Sequence, residues 1–331
     1  MTNLLIVRLS SFGDIVLTEP VTRAVKQQYQ DARLWFVTSA QYSEIPLLFS
    51  SVDSVIPYSK GGTNPQLDAV ARETQFDAVI DLQGSLRSRR ITGELRSGKT
   101  VRHRRPRFRR FLSVYMPWLW KGYLDHTVQS YADAARRAGI ESHDLVPRVT
   151  PPEVDLKKAR ERFGAGPFIG VCPGGSSPHK RWSEDRFAEL VRCLVGDGRQ
   201  VLIIGSDADR AVAESVVGGL SGEEAGLYIS NNIAMIAALL SLCAATVTND
   251  SGLMHLAGAV GSRVVSIFGP TSPLLGFAPM AEGAVVVTRG LSCSPCCFHG
   301  NRPCKYETRE CLEETDPGEV AGIVADTLRE G

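Results

Sequence analysis

Four- and five-residue apolar runs recur along this chain, each separated from the next by polar or helix-patterned sequence. That alternation admits few folds. Runs at 4–7, 34–37, 52–56 and 78–82 are too short for buried helices and read as strands of a parallel sheet covered by helices. The same grammar restarts at 168–172 and continues through 201–204, 227–229, 245–248, 264–268 and 284–287. Between the first two of these, Ser183 reads as a helix cap with Glu184 and Asp185 in the first turn, and Phe187, Leu190, Val191 and Leu194 follow on one face. A proline-rich, charged stretch at 147–166 joins the halves. A chain of 331 residues exceeds one simple core, so the reading is α/β with two tandem Rossmann-like domains, 1–150 and 151–331, facing across a cleft. The last helix is a candidate to pack back on the first domain.

Global charge directs nothing, because the formal net charge is +1, so any electrostatic message is local. No apolar stretch reaches the length of a membrane span. The N-terminus "MTNLLIVRLSSFGD" lacks the basic region and small-residue cleavage site of a signal peptide, which points to the cytoplasm. No G-x-G-x-x-G follows the first strand, which argues against a dinucleotide dehydrogenase.

Ligands of doubly wound domains bind where loops leave the carboxyl ends of strands. "RLSSFGDIVLTEP" (8–20) leaves the first strand, with Gly13 in the turn and Asp14 either capping a helix or serving as a general base. "CPGGSSPHKRW" (172–182) offers amides near Gly174, hydroxyls at Ser176 and Ser177, and the charge of Lys180, a set suited to a diphosphate. "VTNDSGLMHLAGA" (247–259) puts Asp250, Ser251 and Gly252 at a helix start, with His255 one turn on. "IGSDADR" (204–210) adds Asp207 and Asp209, acids at a place that commonly takes ribose hydroxyls.

These stretches, with "FDAVIDLQGSLRS" (76–88) and "SIFGPTSP" (266–273), occur in the order seen in the ADP-heptose:lipopolysaccharide heptosyltransferases of glycosyltransferase family 9. The chain resembles that family, in its heptosyltransferase II type, from residue 4 to about 315. The resemblance implies a GT-B fold and an inverting transfer of heptose from ADP-heptose to inner-core lipopolysaccharide, with no metal or other cofactor required. It also implies Asp14 as catalytic base and Gly174, Ser176, Ser177, Lys180, Asp209, Asp250, Ser251, Gly252 and His255 as donor-binding residues. Gly13, Arg87 and Arg90 are acceptor candidates. Arg8 stands where some members carry lysine, and no role is assigned to it. Another nucleotide-sugar donor or acceptor, or a binding protein that has lost transfer, remain the competing readings, and Asp14 argues against the last.

The stretch 87–111 is strongly basic, with Glu94 its only acid. A solvated loop, a nucleic-acid site and a dock for an anionic lipid-linked saccharide are the options, and the last is preferred. No nucleic-acid partner is expected. The aromatics of "FLSVYMPWLWKGYL" (111–124) beside it suit peripheral contact with the inner face of a membrane, or else belong to the first domain's core. Cys293, Cys296, Cys304 and Cys311 have the donors for zinc, with Cys297 and His299 to spare, but not the spacing of a standard finger. They read as a structural loop held by a disulfide or a metal. Cys172, Cys193 and Cys243 read as core thiols. The oligomeric state is open.

Overall fold

The computed structural model describes residues 2–104, 107–116, 119, 124–222 and 224–329. The chain divides into two compact units, Met1–Pro106 with Asp125–Thr150, and Arg107–Leu124 with Pro151–Gly331.

The first unit is built on a parallel sheet of β1 (Asn3–Val7), β2 (Arg33–Ser39), β3 (Ser54–Tyr58), β4 (Gln75–Asp81) and β5 (Arg96–Arg102), in the order β3-β2-β1-β4-β5. The central strand β1 is buried on both faces from Leu4 to Val7, as its unbroken apolar run requires. The described residues of the basic stretch after β4 are mostly helix and strand. They form the helix Leu86–Glu94, then β5, then the helix Arg107–Tyr115. β5 escapes an apolar-run reading because it is an edge strand of sequence RSGKTVR, in which only Val101 is buried.

The second unit carries β6 (Phe168–Cys172), β7 (Val201–Gly205), β8 (Ala225–Ile229), β9 (Cys243–Asn249), β10 (Arg263–Ile267) and β11 (Val285–Val287). Their order is β11-β10-β9-β6-β7-β8, again all parallel. Each sheet therefore grows outward in both directions from a central pair, β1 with β4 and β6 with β9. The crevice above such a pair is where doubly wound sheets bind ligands.

The helix Glu184–Gly196 buries Phe187, Leu190, Val191 and Leu194 against the second sheet, and the Trp182 ring meets Phe187 edge-on at 5.0 Å. Burying a side chain of this size contributes roughly 1.5–3 kcal/mol. The C-terminal helix Pro317–Arg329 spends its apolar face in this same core through Val320, Ala321 and Val324, so the second unit's own sheet holds it.

The segment 107–124 departs from the expected boundary at residue 150. Leu124 donates its amide to the Leu274 carbonyl at 3.1 Å, and Val114 and Leu124 bury against Leu275. The Tyr115 ring lies 5.5 Å from Phe298, and the Arg110 guanidinium stacks 4.8 Å over Phe277. Of the aromatics placed here, Tyr115 thus packs in the second unit and not in the first domain's core. Phe108 and Phe111 remain exposed. Trp118, Trp120 and Tyr123 lie outside the described residues. Among the described residues, no helix is long and apolar enough to cross a membrane.

Candidate active site

In the first unit, the loop after β1 is pinned from β4. The Gln83 side-chain carbonyl accepts the amides of Leu9 at 3.0 Å and Ser10 at 3.1 Å. Gln83 is held in turn by Asp81, whose Oδ1 accepts the amides of Gln83 and Gly84. This fixes the start of the short helix Phe12–Val16, which contains Gly13 and Asp14.

Asp14 occupies the third helical position and closes a reciprocal cap with Ser11. Its Oδ2 accepts the Ser11 amide at 3.1 Å and the Ser11 hydroxyl at 2.8 Å, and lies 2.7 Å from the Arg8 guanidinium. Its Oδ1 accepts the Tyr131 hydroxyl at 3.3 Å. Arg8 is 5 % exposed, donates to the Leu82 carbonyl at 2.8 Å and lies 5.3 Å from the Tyr131 ring centre. Asp14 is therefore a cap and a carboxylate at the β1 end at once.

Burial pushes the Asp14 carboxyl up, but the Arg8 charge and the Ser11 hydrogen bonds outweigh it and bring it down to about 2. The depression adds stability above the ordinary aspartate range, lost as pH falls toward 2. It also keeps Asp14 ionised throughout the neutral range. Replacing Arg8 with methionine leaves the burial and removes the charge. Arg8→Met is expected to bring an acid limb into the kcat/KM profile at higher pH than in the wild type. Superimposable profiles would contradict the Arg8–Asp14 coupling.

Arg87 and Arg90 are exposed on the helix Leu86–Glu94, which leaves β4 beside the β1 loop. Arg8 and Tyr131 are the functional candidates that sequence reasoning passed over. Arg8 was legible: an arginine directly after a buried LLIV strand needs a partner, and Asp14 is the next acid along the chain. Tyr131 was not, since 117 residues separate it from Asp14.

In the second unit, Asn249 at the end of β9 joins the two central loops. Its amide nitrogen donates to the carbonyls of Pro173 at 2.8 Å and Gly174 at 3.0 Å, and its oxygen accepts the Trp182 amide at 2.9 Å. Across that joint Lys180 Nζ lies 2.6 Å from Asp250 Oδ2, with both side chains nearly buried. The Thr271 hydroxyl donates to the same Asp250 oxygen at 2.7 Å. The structure brings Lys180 and Asp250 together as a pair above β6 and β9. Ser251 stands at the N-cap position of the helix Gly252–Ala259, its hydroxyl turned to that of Thr248 at 3.2 Å, and His255 is buried one turn on.

The two serines of the β6 loop differ. Ser176 is exposed, whereas the Ser177 hydroxyl is buried and donates to the Gly300 carbonyl at 2.5 Å. Asp209 sits beneath the glycine turn. It accepts the Ser206 hydroxyl at 2.6 Å, the Ser206 amide at 3.1 Å and the Gly175 amide at 3.3 Å. A Cβ on Gly174 would lie 2.2 Å from the Asp209 carboxyl carbon, so glycine is what lets this carboxylate approach. Asp207 is the more exposed of the two acids and pairs with Arg210 at 2.9 Å.

Cys293, Cys296, Cys304 and Cys311 line one cavity together with His179 and Arg309. All eight cysteines are free thiols, so no disulfide closes this loop. Among the described residues, no three His, Cys, Asp or Glu side chains form a group that would hold a metal ion. Cys172 and Cys243 are buried in the core as expected, while Cys193 is half-buried. Burial pushes the Cys243 thiol up to about 12.

Two parallel-sheet units, each with polar loops gathered over its central strand pair, make up the architecture of the GT-B glycosyltransferases. The sequence pattern of glycosyltransferase family 9 (heptosyltransferase) matches residues 67–307, well over half the chain. The chain belongs to that family and is a glycosyltransferase. It is 26 % identical over 294 residues to lipopolysaccharide heptosyltransferase 2 of Salmonella typhimurium, covering 82 % of this chain and 83 % of that one. It is 28 % identical over 310 residues to lipooligosaccharide heptosyltransferase 2 of Haemophilus influenzae, covering 86 % and 88 %. The fold matches the structure of E. coli ADP-heptose lps heptosyltransferase II with a TM-score of 0.78 at 24 % identity, over 100 % of this chain and 99 % of that one.

Proposed function

We propose that this glycosyltransferase moves a heptose from ADP-heptose to the inner core of lipopolysaccharide, with inversion and without a metal. The names of its relatives supply the sugar and the acceptor class. The observation that carries the donor reading is the Lys180–Asp250 pair at the central strands of the second sheet. A leaving diphosphate gathers negative charge, and a lysine plus the amides at a helix start stabilise that charge in place of a metal.

The roles divide as follows. Lys180 engages the diphosphate from the position in which Asp250 and Thr271 hold it. Gly174, Ser176, Ser251 and Gly252 present amides and hydroxyls, and His255 stands behind them. Ser177 and Asp209 act from beneath by fixing the β6 turn. Asp14 is the base, and Oδ1 is the atom that takes the acceptor proton, since Oδ2 is committed to Arg8 and Ser11. One carboxylate suffices because inversion forms no covalent intermediate. Its low basicity is adequate because the acceptor hydroxyl turns acidic as its oxygen bonds to the anomeric carbon.

Gly13, Arg87 and Arg90 belong to the acceptor side, where the exposed arginines suit an anionic lipid-linked saccharide. Exposed Phe108 and Phe111, flanking Arg109, support peripheral contact with the cytoplasmic face of the inner membrane. The test is incubation with ADP-heptose and, in separate reactions, a heptose-free core acceptor and one carrying a single heptose, in the presence of a chelator. Acceptor-dependent release of ADP is expected. No release from ADP-heptose, with turnover of another nucleotide sugar, would favour a different donor.

A further inference from the structure

The cysteine-rich segment has no part in the chemistry above, yet it touches the loops after β6 and β10. The Ser294 hydroxyl donates to the carbonyls of Gly269 at 3.0 Å and Thr271 at 3.2 Å, and the Cys296 amide donates to Pro270 at 3.0 Å. The Arg309 guanidinium donates to the Arg181 carbonyl. Gly300 takes the Ser177 hydroxyl and lies flat against the lysine: a Cβ built on Gly300 would sit 2.0 Å from Lys180 Cγ and 2.2 Å from Cδ.

Lys180 is thus confined at both ends. Its stem runs over the bare Cα of Gly300. Its head meets Asp250, which Thr271 holds. Thr271 is in turn anchored through its carbonyl by Ser294. We propose that the segment from Ser294 to Arg309 is a brace that positions Lys180 for the donor diphosphate, with Gly300 as its contact residue. The inference rests on the reading of Lys180 as the diphosphate ligand. It gives the segment a part in donor affinity that needs neither a metal nor a disulfide.

Gly300→Ala tests this by pushing the lysine stem aside. Gly300 has φ of +61°, so alanine also carries backbone strain there. Gly290 has the same φ of +61° with nothing within 4 Å of its built Cβ, so Gly290→Ala carries that strain without the collision. ADP affinity, measured by calorimetry, is expected to fall about tenfold or more in Gly300→Ala and to stay within about twofold in Gly290→Ala. The KM for donor should rise in Gly300→Ala while the KM for acceptor stays put. In a Lys180→Ala background, adding Gly300→Ala should cost no more than about a further twofold, because the two act through one side chain.

Wild-type affinity in Gly300→Ala, an equal loss in Gly290→Ala, or a full additional loss in the Lys180→Ala background would each overturn the brace. Should Gly300→Ala not fold, Ser294→Ala decides. It adds no atom, and ADP affinity should fall about threefold or more; unchanged affinity overturns the proposal. If Lys180→Ala itself binds ADP normally, the donor reading falls and the brace with it. If only Gly300→Ala and Ser294→Ala are neutral, the brace falls alone.

Discussion

Asp14→Asn is expected to lower kcat by about three orders of magnitude while ADP affinity stays within about twofold of wild type. The amide keeps the size of the carboxylate and an oxygen for the Ser11 cap, so the loop after β1 retains its anchor through Gln83. What the substitution removes is the capacity to take a proton at Oδ1. The proposed donor residues Lys180 and Asp250 and the helix Gly252–Ala259 keep their own contacts, because they belong to the other unit. The variant also leaves Arg8 without its anionic partner, and a buried guanidinium deprived of its charge pair is costly. Its melting temperature should therefore drop, and kcat must be compared well below that transition. Near-normal turnover would remove Asp14 from the role of base.

Lys180→Ala is expected to weaken ADP binding by about 10- to 100-fold, the range for a charge-assisted hydrogen bond lost from a nearly buried site. Two effects combine. The diphosphate loses its cation, and Asp250 is left as an uncompensated carboxylate at the place where the anion binds. Lys180→Ala/Asp250→Ala should therefore recover part of the lost affinity. Unchanged ADP affinity in Lys180→Ala would take the lysine out of the donor site, and with it the observation on which the donor reading stands.

The alternation of apolar runs was enough to place ten of the strands, because a strand buried on both faces has to be continuously apolar. It was blind to β5, where Lys99 and two arginines, Arg96 and Arg102, pair with β4 at the sheet edge. Glycine turns and helix starts marked Asp14, Lys180 and Asp250 as residues at strand ends, and the structure joins the last two at 2.6 Å. It spends Asp209 and Ser177 differently from their appearance in the sequence. Both side chains are turned inward to hold the β6 turn, and only three-dimensional packing decides which oxygen faces solvent. Asn249 and Gln83, the two amides that tie loop to loop, gave no signal in sequence. Their partners lie more than 60 residues away and are backbone groups, which every residue carries.

The most direct measurement is the anomeric configuration of the product formed, with chelator present, from ADP-heptose and whichever core acceptor is used, heptose-free or carrying one heptose. A single added heptose whose linkage is opposite in configuration to that of the donor is the predicted result. It is what one carboxylate base and a cationic leaving-group site produce without a covalent intermediate. A product that retains the donor configuration would contradict direct displacement from the face opposite the leaving diphosphate with Asp14 as base. A transfer that stops when chelator is added would contradict the assignment of leaving-group stabilisation to Lys180.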